Sequence, residues 1–185
     1  MKVLIVPEDP TLDQYILKPV VERIFADLGK TPRVMVLLNP RLRGVAQALN
    51  SDILADIVAT YPMNDLFLVL VDRDGDAARA GLASARESEH PNRLFVCLAI
   101  EEIEVWMLAI HSEALGSGWR EVRAEIHPKE RFAEPFLQAR APRLDAGQGR
   151  AWAMRGLGGQ WRGVLQRCPE LDELQRRVES WLAVG

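Results

Sequence analysis

Cysteine is scarce in this sequence, and long hydrophobic runs are missing from it. The two cysteines, Cys97 and Cys168, lie far apart and lack CxxC spacing, which argues against a disulfide framework or a cysteine-based zinc site. No apolar stretch reaches the roughly 18 residues that a membrane-spanning helix needs. The opening MKVLIVPEDP is too short for the core of a signal peptide and is typical of a first strand. We therefore expect a cytoplasmic protein without membrane contact.

An excess of positive charge is also missing. Lysine and arginine number 23 against 26 aspartate and glutamate, a net charge of -3, so no basic field over the whole chain indicates nucleic-acid binding. The three histidines, His90, His111 and His127, lack the spacing of metal ligands and are predicted to be surface or structural residues. With 48% hydrophobic and 26% charged residues, the composition is that of a folded domain.

Short β-branched apolar runs alternate along the chain with segments of helical periodicity. This order predicts an α/β fold with a mainly parallel central sheet flanked by helices. In such a sheet the strand C-termini open on one edge, where ligands bind. Thr11 or Asp13 is expected to cap the first helix. The predicted strands cover residues 3–6, 33–38, 66–71 and 93–99, and the predicted helices cover residues 13–29, 44–60, 77–87, 101–110 and 170–183.

The last third of the chain differs in composition and is predicted to be a helical, arginine-rich extension over residues 116–185, packed on a domain of residues 1–115. Residues 138–167 hold six arginines against one acid, Asp145, together with Trp152, Trp161 and several glycines. Two interpretations stay open. The arginines bind phosphates while the tryptophans stack on bases, or the tryptophans anchor the core and the arginines form a solvated face. The glycine-rich residues 156–159 are predicted to form a loop. The candidate phosphate-binding arginines are Arg140, Arg143, Arg150, Arg155 and Arg162.

Acidic residues follow three of the predicted strands, at the point where each strand ends. If the strands are parallel, the three groups meet at one edge of the sheet. Clustered carboxylates repel one another, and Mg²⁺, which prefers oxygen ligands, would hold them ionised. We therefore predict a Mg²⁺ or Mn²⁺ site at that edge. Each group also has a simpler explanation, as helix-capping acids, a solvated turn, or first-turn acids of a helix. The groups are Glu8 with Asp9; Asp72, Asp74 and Asp76; and Glu101, Glu102 and Glu104.

These residues support a family resemblance. A glutamate after the first strand and a DxD motif after the third resemble the Toprim domain of topoisomerases, primases and OLD-type nucleases. More narrowly, PEDPTLDQYILKPVVERIF, LVLVDRDGD and AIEEIEVWMLA resemble the uncharacterised DUF4276 family of Toprim-like proteins. The resemblance covers about residues 1–115 and implies a Toprim-like, Rossmann-like fold. One departure is Asp9, which stands where Toprim proteins usually have glycine.

The resemblance implies roles for particular residues. Glu8 would be the general acid/base or an extra ligand, and Asp72 and Asp74 the metal ligands. Glu104, together with Asp76, would hold a second ion. These roles lead us to expect a Mg²⁺-dependent phosphoryl-transfer enzyme, a nuclease acting on DNA or RNA, with a place in anti-phage defence. The alternative is a non-catalytic Toprim-like partner of an ATPase or another subunit, with the closing helix as its contact surface. A third expectation is hydrolysis of a small phosphate compound.

Overall fold

The computed structural model describes residues 1–184 and contains a four-stranded, all-parallel sheet flanked by helices. The predicted α/β class with a parallel sheet is therefore confirmed. The spatial order of the strands is β2-β1-β3-β4, so the chain adds one strand on one side of β1 and then continues on the other. The strands are β1 (Lys2–Pro7), β2 (Arg33–Val36), β3 (Leu66–Asp72) and β4 (Leu94–Ala99).

Helices connect the strands, and helices joined by loops follow β4 up to residue 184. A π-helical turn spans Lys129–Ala133, and short 3-10 turns span Ser112–Ala114 and Met154–Gly156. Within residues 1–184, no helix is both long and apolar enough to cross a bilayer. The helices are α1 (Pro10–Asp27), α2 (Val45–Ala48), α3 (Ser51–Thr60), α4 (Arg79–Glu89), α5 (Glu104–Ile110), α6 (Trp119–Ala124), α7 (Glu134–Arg140), α8 (Arg150–Ala153), α9 (Leu157–Arg167) and α10 (Pro169–Val184).

Side-chain hydrogen bonds at helix starts account for two differences from the predicted boundaries. Helix α1 begins at Pro10 because the Asp9 carboxylate accepts the N–H of Thr11 and caps the helix, so neither Thr11 nor Asp13 is the cap. The single helix predicted over 44–60 is two helices, since the Asn50 side chain accepts the N–H of Ile53 and starts α3 afresh. The loop predicted for residues 156–159 was wrong, because α9 already begins at Leu157.

The sheet is covered on both faces, which is why its strands are apolar along their whole length. Alternate residues of β1 and β3 point to opposite sides. Val3 and Ile5 face a large core shared with α1, α5 and the C-terminal helices, whereas Leu4 and Val6 face a smaller core under α2, α3 and α4.

The C-terminal helices join the larger core rather than forming a body of their own. Trp161 is 2% exposed, and Leu174 and Val178 of α10 are buried in the same cluster as Val3 of the sheet. Glu170 fixes α10 in place by accepting two hydrogen bonds from Arg123, at 3.0 and 3.1 Å. Of the three α10 residues expected on the contact surface, Leu174 and Val178 are packed inside, and Trp181 remains partly exposed.

Gly149 allows α8 to begin against α7, and this leads to a stability prediction. Its φ is +92°, and a Cβ there would lie 2.4 Å from the Cβ of Ala141. We expect Gly149→Ala to lower the free energy of unfolding by about 2–4 kcal/mol through backbone strain and overpacking, measured by urea denaturation. Gly159 in α9 has open space around its Cα, so Gly159→Ala should instead raise stability by about 0.5–1 kcal/mol. Equal stability of the two variants would contradict this packing.

Candidate functional site

Strand register brings Glu8 and Asp72 to neighbouring positions at the C-terminal edge of the sheet. Val6 pairs with Val69 and Pro7 with Leu70, so Glu8 comes alongside Val71, next to Asp72. Adjacent strands lie only about 4.8 Å apart. The strand order changes direction between β1 and β3, and in open α/β sheets the crevice outside this point is where ligands bind. The topology therefore places both acids at the position where a ligand is expected.

Two further carboxylates, Asp13 in the first turn of α1 and Glu104 at the start of α5, join Glu8 and Asp72. We call these four residues the acidic cluster. Burial and then the charge of Glu8 raise the pKa of Asp72 to about 9. Burial and then the charge of Glu104 raise the pKa of Asp13 to about 7. The pKa of Glu8 is also raised, by burial and then by Asp74. These mutual effects show that the four carboxylates lie within electrostatic reach of one another.

Hydrogen bonds engage only part of the cluster's oxygens. Asp72 Oδ1 accepts the N–H of Ile103 at 2.8 Å, and Asp13 Oδ2 accepts the N–H of Asp9 at 3.2 Å. Glu8 Oε2 is buried and has no hydrogen-bond partner among residues 1–184. A buried carboxylate oxygen without a partner is costly, so the Glu8 carboxyl is stabilised by a proton or by a bound cation.

Two cations from the C-terminal segment balance part of this charge. Arg150 Nη2 donates to Glu104 Oε1 at 2.6 Å, with side chains 2% and 3% exposed. Lys129 Nζ approaches the same oxygen at 4.0 Å. If all four acids were ionised, these two residues would balance two of the four negative charges. The remaining charge is relieved by protonation, as the raised pKa values of Asp13 and Asp72 indicate, or by a bound divalent cation.

Asp74 and Asp76 lie at the exposed rim and are paired with arginine. Asp74 Oδ2 accepts from Arg79 Nη1 at 2.6 Å, and Asp76 Oδ2 lies 3.7 Å from Arg79 Nε. Arg79 also donates to the backbone carbonyl of Asp72, which fixes the guanidinium beside the strand end. Asp74 remains close enough to raise the pKa of Glu8, whereas Asp76 is 52% exposed in its side chain and caps the turn to Ala78.

The three glutamates after β4, which were expected at the same sheet edge with Glu104 turned toward the metal, point to different surroundings. Glu101 is paired with Arg73 and accepts the N–H of Gly75, so it holds the DRDGD turn in shape. Glu102 points toward the π-helical turn, where its Oε2 accepts the N–H of Lys129 at 2.7 Å. Burial is the main reason that the pKa of Glu102 is raised to about 7. Glu104 alone faces the acidic cluster.

Within residues 1–184, one group of three metal-ligating side chains converges so that every ligand atom lies within 4.8 Å of the others: Glu102, His127 and Glu130. The acidic cluster is more open than this. Sequence reasoning treated His127 as surface or structural. The available signal was the His-x-x-Glu spacing of His127 and Glu130, but nothing local connects that pair to Glu102.

The arginine-rich stretch is split between surface and interior. Arg150 is 1% exposed and forms an ion pair with Glu104, so the prediction that it binds phosphate was wrong. Four arginines remain at the surface. The side chain of Arg155 is 71% exposed and lies 3.3 Å from Asp145. Arg140 lies over the ring of Phe136. Arg143 lines a cleft of about 450 Å³ whose wall includes Arg150. Arg162 is exposed on α9.

The tryptophans of this stretch serve packing. Trp161 is buried and donates from Nε1 to Gln175 at 2.9 Å. Trp152 stacks on His111, with ring centroids 5.7 Å apart and planes 3° from parallel. His111 is held in turn by the carbonyl of Ala153 at 2.8 Å. Trp161 is therefore a core residue, as one of the two interpretations expected. Neither Trp152 nor Trp161 has a free ring face on which a base could stack.

Comparisons of this chain with protein-family models, with curated proteins and with solved structures gave no match.

The raised pKa of Asp13 leads to a prediction about stability and pH. The pKa of this carboxyl group is 3.8 in the unfolded chain and about 7 in the folded protein. Between these two values the unfolded state ionises more readily, so the free energy of unfolding falls as the pH rises. Without divalent metal, Asp13→Asn should therefore stabilise the protein by an amount that grows from about pH 4 to about pH 7 and then levels off. Urea unfolding at several pH values in chelator measures this. Asp56→Asn, on the exposed face of α3, is the control, and a gain independent of pH would contradict the burial of Asp13.

Proposed function

We propose that this protein is a Mg²⁺- or Mn²⁺-dependent phosphoryl-transfer enzyme, a nuclease that cleaves phosphodiester bonds of DNA or RNA. The observation that carries the proposal is the meeting of Glu8, Asp72 and Glu104 at the switch point of the sheet, with Asp13 as a fourth acid. The resemblance of the glutamate and DxD positions to Toprim domains supports the same assignment.

The donor set suits a hard divalent cation. Glu8 Oε2 is buried and unpaired, and Asp72 has one oxygen engaged by Ile103 and the other without a hydrogen bond among residues 1–184. Mg²⁺ usually takes one or two protein carboxylates and fills its other positions with water and substrate phosphate. Glu8 and Asp72 are thus the residues that would hold the ion. Asp74 can join them only by leaving Arg79, and Glu104 has one oxygen committed to Arg150.

When bound, the cation would neutralise the charge that develops on the phosphoryl oxygens. The remaining roles belong to the chain. Glu8, whose pKa is raised by burial, is suited to accept the proton of the attacking water or hydroxyl. Arg150 and Lys129 hold the Glu104 side chain in place beside the site, and Glu101 holds the turn that carries Asp74.

A cleavage assay tests this function. Plasmid, single-stranded DNA and RNA would be incubated with the protein and Mg²⁺ or Mn²⁺. Glu8→Gln and Asp72→Asn should each lower the cleavage rate by roughly 100-fold or more, because each removes a charge from the site where the transition state is stabilised. Asp76→Asn should have a small effect, since Asp76 lies at the rim.

Asp56→Asn is the matched control for the removal of one carboxylate charge, and circular dichroism would show that each variant is folded. Undiminished cleavage by the double variant Asp72→Asn/Asp74→Asn would refute the assignment.

The exposed arginines lead to a separate prediction about nucleic-acid affinity. If Arg143 and Arg162 contact phosphates, Arg143→Gln and Arg162→Gln should each weaken binding and make its salt dependence shallower by about 1 in the log–log slope. Fluorescence anisotropy with labelled oligonucleotide over a salt series measures both. Arg120→Gln, at an exposed position of α6 outside the stretch, is the control. If all three variants bind alike, the arginine stretch is not the binding surface.

A second candidate function is that of a non-catalytic subunit that binds an ATPase or another protein. It is favoured by a cleft of about 720 Å³ beside α10, lined in part by Phe95, Trp181 and Val184. Trp181 is only partly buried, so its ring is accessible to a partner in this cleft. A chain that is inert on every nucleic acid with either metal, yet forms a stable complex lost in Trp181→Glu, would favour this alternative.

A further inference from the structure

Glu102, His127 and Glu130 converge although they come from two separate parts of the chain. Glu102 follows β4, whereas His127 and Glu130 flank the start of the π-helical turn Lys129–Ala133. One ligand atom from each residue lies within 4.8 Å of the other two. The hydrogen bond from the N–H of Lys129 to Glu102 Oε2, at 2.7 Å, holds the turn against the strand end. Single-turn π segments of this kind are frequent at functional sites.

Glu102 is the unusual member of this group. It is 7% exposed, and its Oε1 makes no hydrogen bond among residues 1–184. Neither Glu102 nor Glu130 forms an ion pair with lysine or arginine in that range, and the nearby Lys129 directs its ammonium to Glu104 instead. A buried carboxylate beside a second carboxylate and without a paired lysine or arginine is stabilised either by a proton or by a bound cation that holds it ionised.

We infer that Glu102, His127 and Glu130 form a binding site for a divalent transition metal, with Zn²⁺ as the ion that fits best. One imidazole nitrogen and two carboxylate oxygens are donors that zinc accepts, and two carboxylates match its charge. A ring nitrogen is a poor ligand for Mg²⁺, which prefers oxygen. Three protein ligands leave the fourth tetrahedral position to water. Ligand atoms bound to one tetrahedral Zn²⁺ at about 2.0–2.2 Å lie about 3.3–3.6 Å from one another. The ligand atoms here lie within 4.8 Å of one another, and His127 and Glu130 are exposed, so small side-chain rotations can bring them to that spacing.

This site is separate from the acidic cluster and does not depend on the proposed nuclease activity. Lys129 connects the two, because its backbone N–H binds Glu102 while its Nζ approaches Glu104. Zinc at this site fixes the turn from which Lys129 reaches the acidic cluster. The zinc ion would also link the end of β4 to the segment that precedes α7.

Metal binding by the full chain tests the inference directly. Protein stripped with chelator would be titrated with Zn²⁺ by calorimetry at neutral pH, and Co²⁺ would be used as a spectroscopic probe through its visible d–d absorption. With excess Mg²⁺ present to occupy the acidic cluster, wild-type protein should bind one equivalent of Zn²⁺. His127→Ala and Glu130→Gln should each weaken binding by about 100-fold or more, because each removes one of three ligands, and should change the Co²⁺ spectrum.

Two controls distinguish this site from its surroundings. Glu134→Gln removes an exposed carboxylate from the neighbouring α7, and Asp72→Asn removes one from the acidic cluster; both should bind Zn²⁺ as wild type does. Zinc should raise the melting temperature of wild type but not of His127→Ala. Unchanged affinity in His127→Ala and Glu130→Gln, or loss of binding in Asp72→Asn alone, would overturn the inference. A failure of the cleavage assay leaves this result unaffected, so the two proposals are tested independently.

Discussion

The buried ion pair between Glu104 and Arg150 is the contact on which the arrangement of this molecule depends. Both side chains are almost completely removed from water, so each charge needs the other, and breaking such a pair costs about 3–5 kcal/mol. The partners are 46 residues apart, at the starts of α5 and α8. The pair thus connects the sheet edge to the C-terminal helices, and it explains why an arginine-rich segment ends partly inside the protein.

Around this pair, the acids of the sheet edge divide into distinct groups. Glu101 neutralises Arg73 and shapes the DRDGD turn, Glu104 joins Glu8, Asp13 and Asp72, and Glu102 faces His127 and Glu130. Successive residues at the end of a strand point in different directions, so three neighbouring glutamates reach three environments. The raised pKa values of Asp13 and Asp72 have the same origin as the proposed metal site, since both follow from carboxylates buried together with too few cations.

The candidate site was only partly predictable from the sequence. Parallel strands dictate that residues after β1 and β3 share an edge, so the proximity of Glu8 and Asp72 follows from local patterns and topology. Asp13 was missed because it was read as a helix cap, and Arg150 was misassigned because burial is invisible in a run of arginines. The position of His127 beside Glu102 depends on how the segment after α6 folds back, and no periodicity encodes that path.

The amino-acid sequence by itself determined the four strands and most of the helices before residue 111, because these follow from short-range periodicity. It also determined that the strands run parallel, because of the geometry of strand–helix–strand connections. Only the tertiary structure decided which charges meet. A carboxylate is free, paired or protonated according to the burial and the partners that distant segments bring to it. The difference between Glu104 beside Arg150 and Glu102 beside His127 is therefore set by packing over dozens of residues, and not by the local sequence that the two glutamates share.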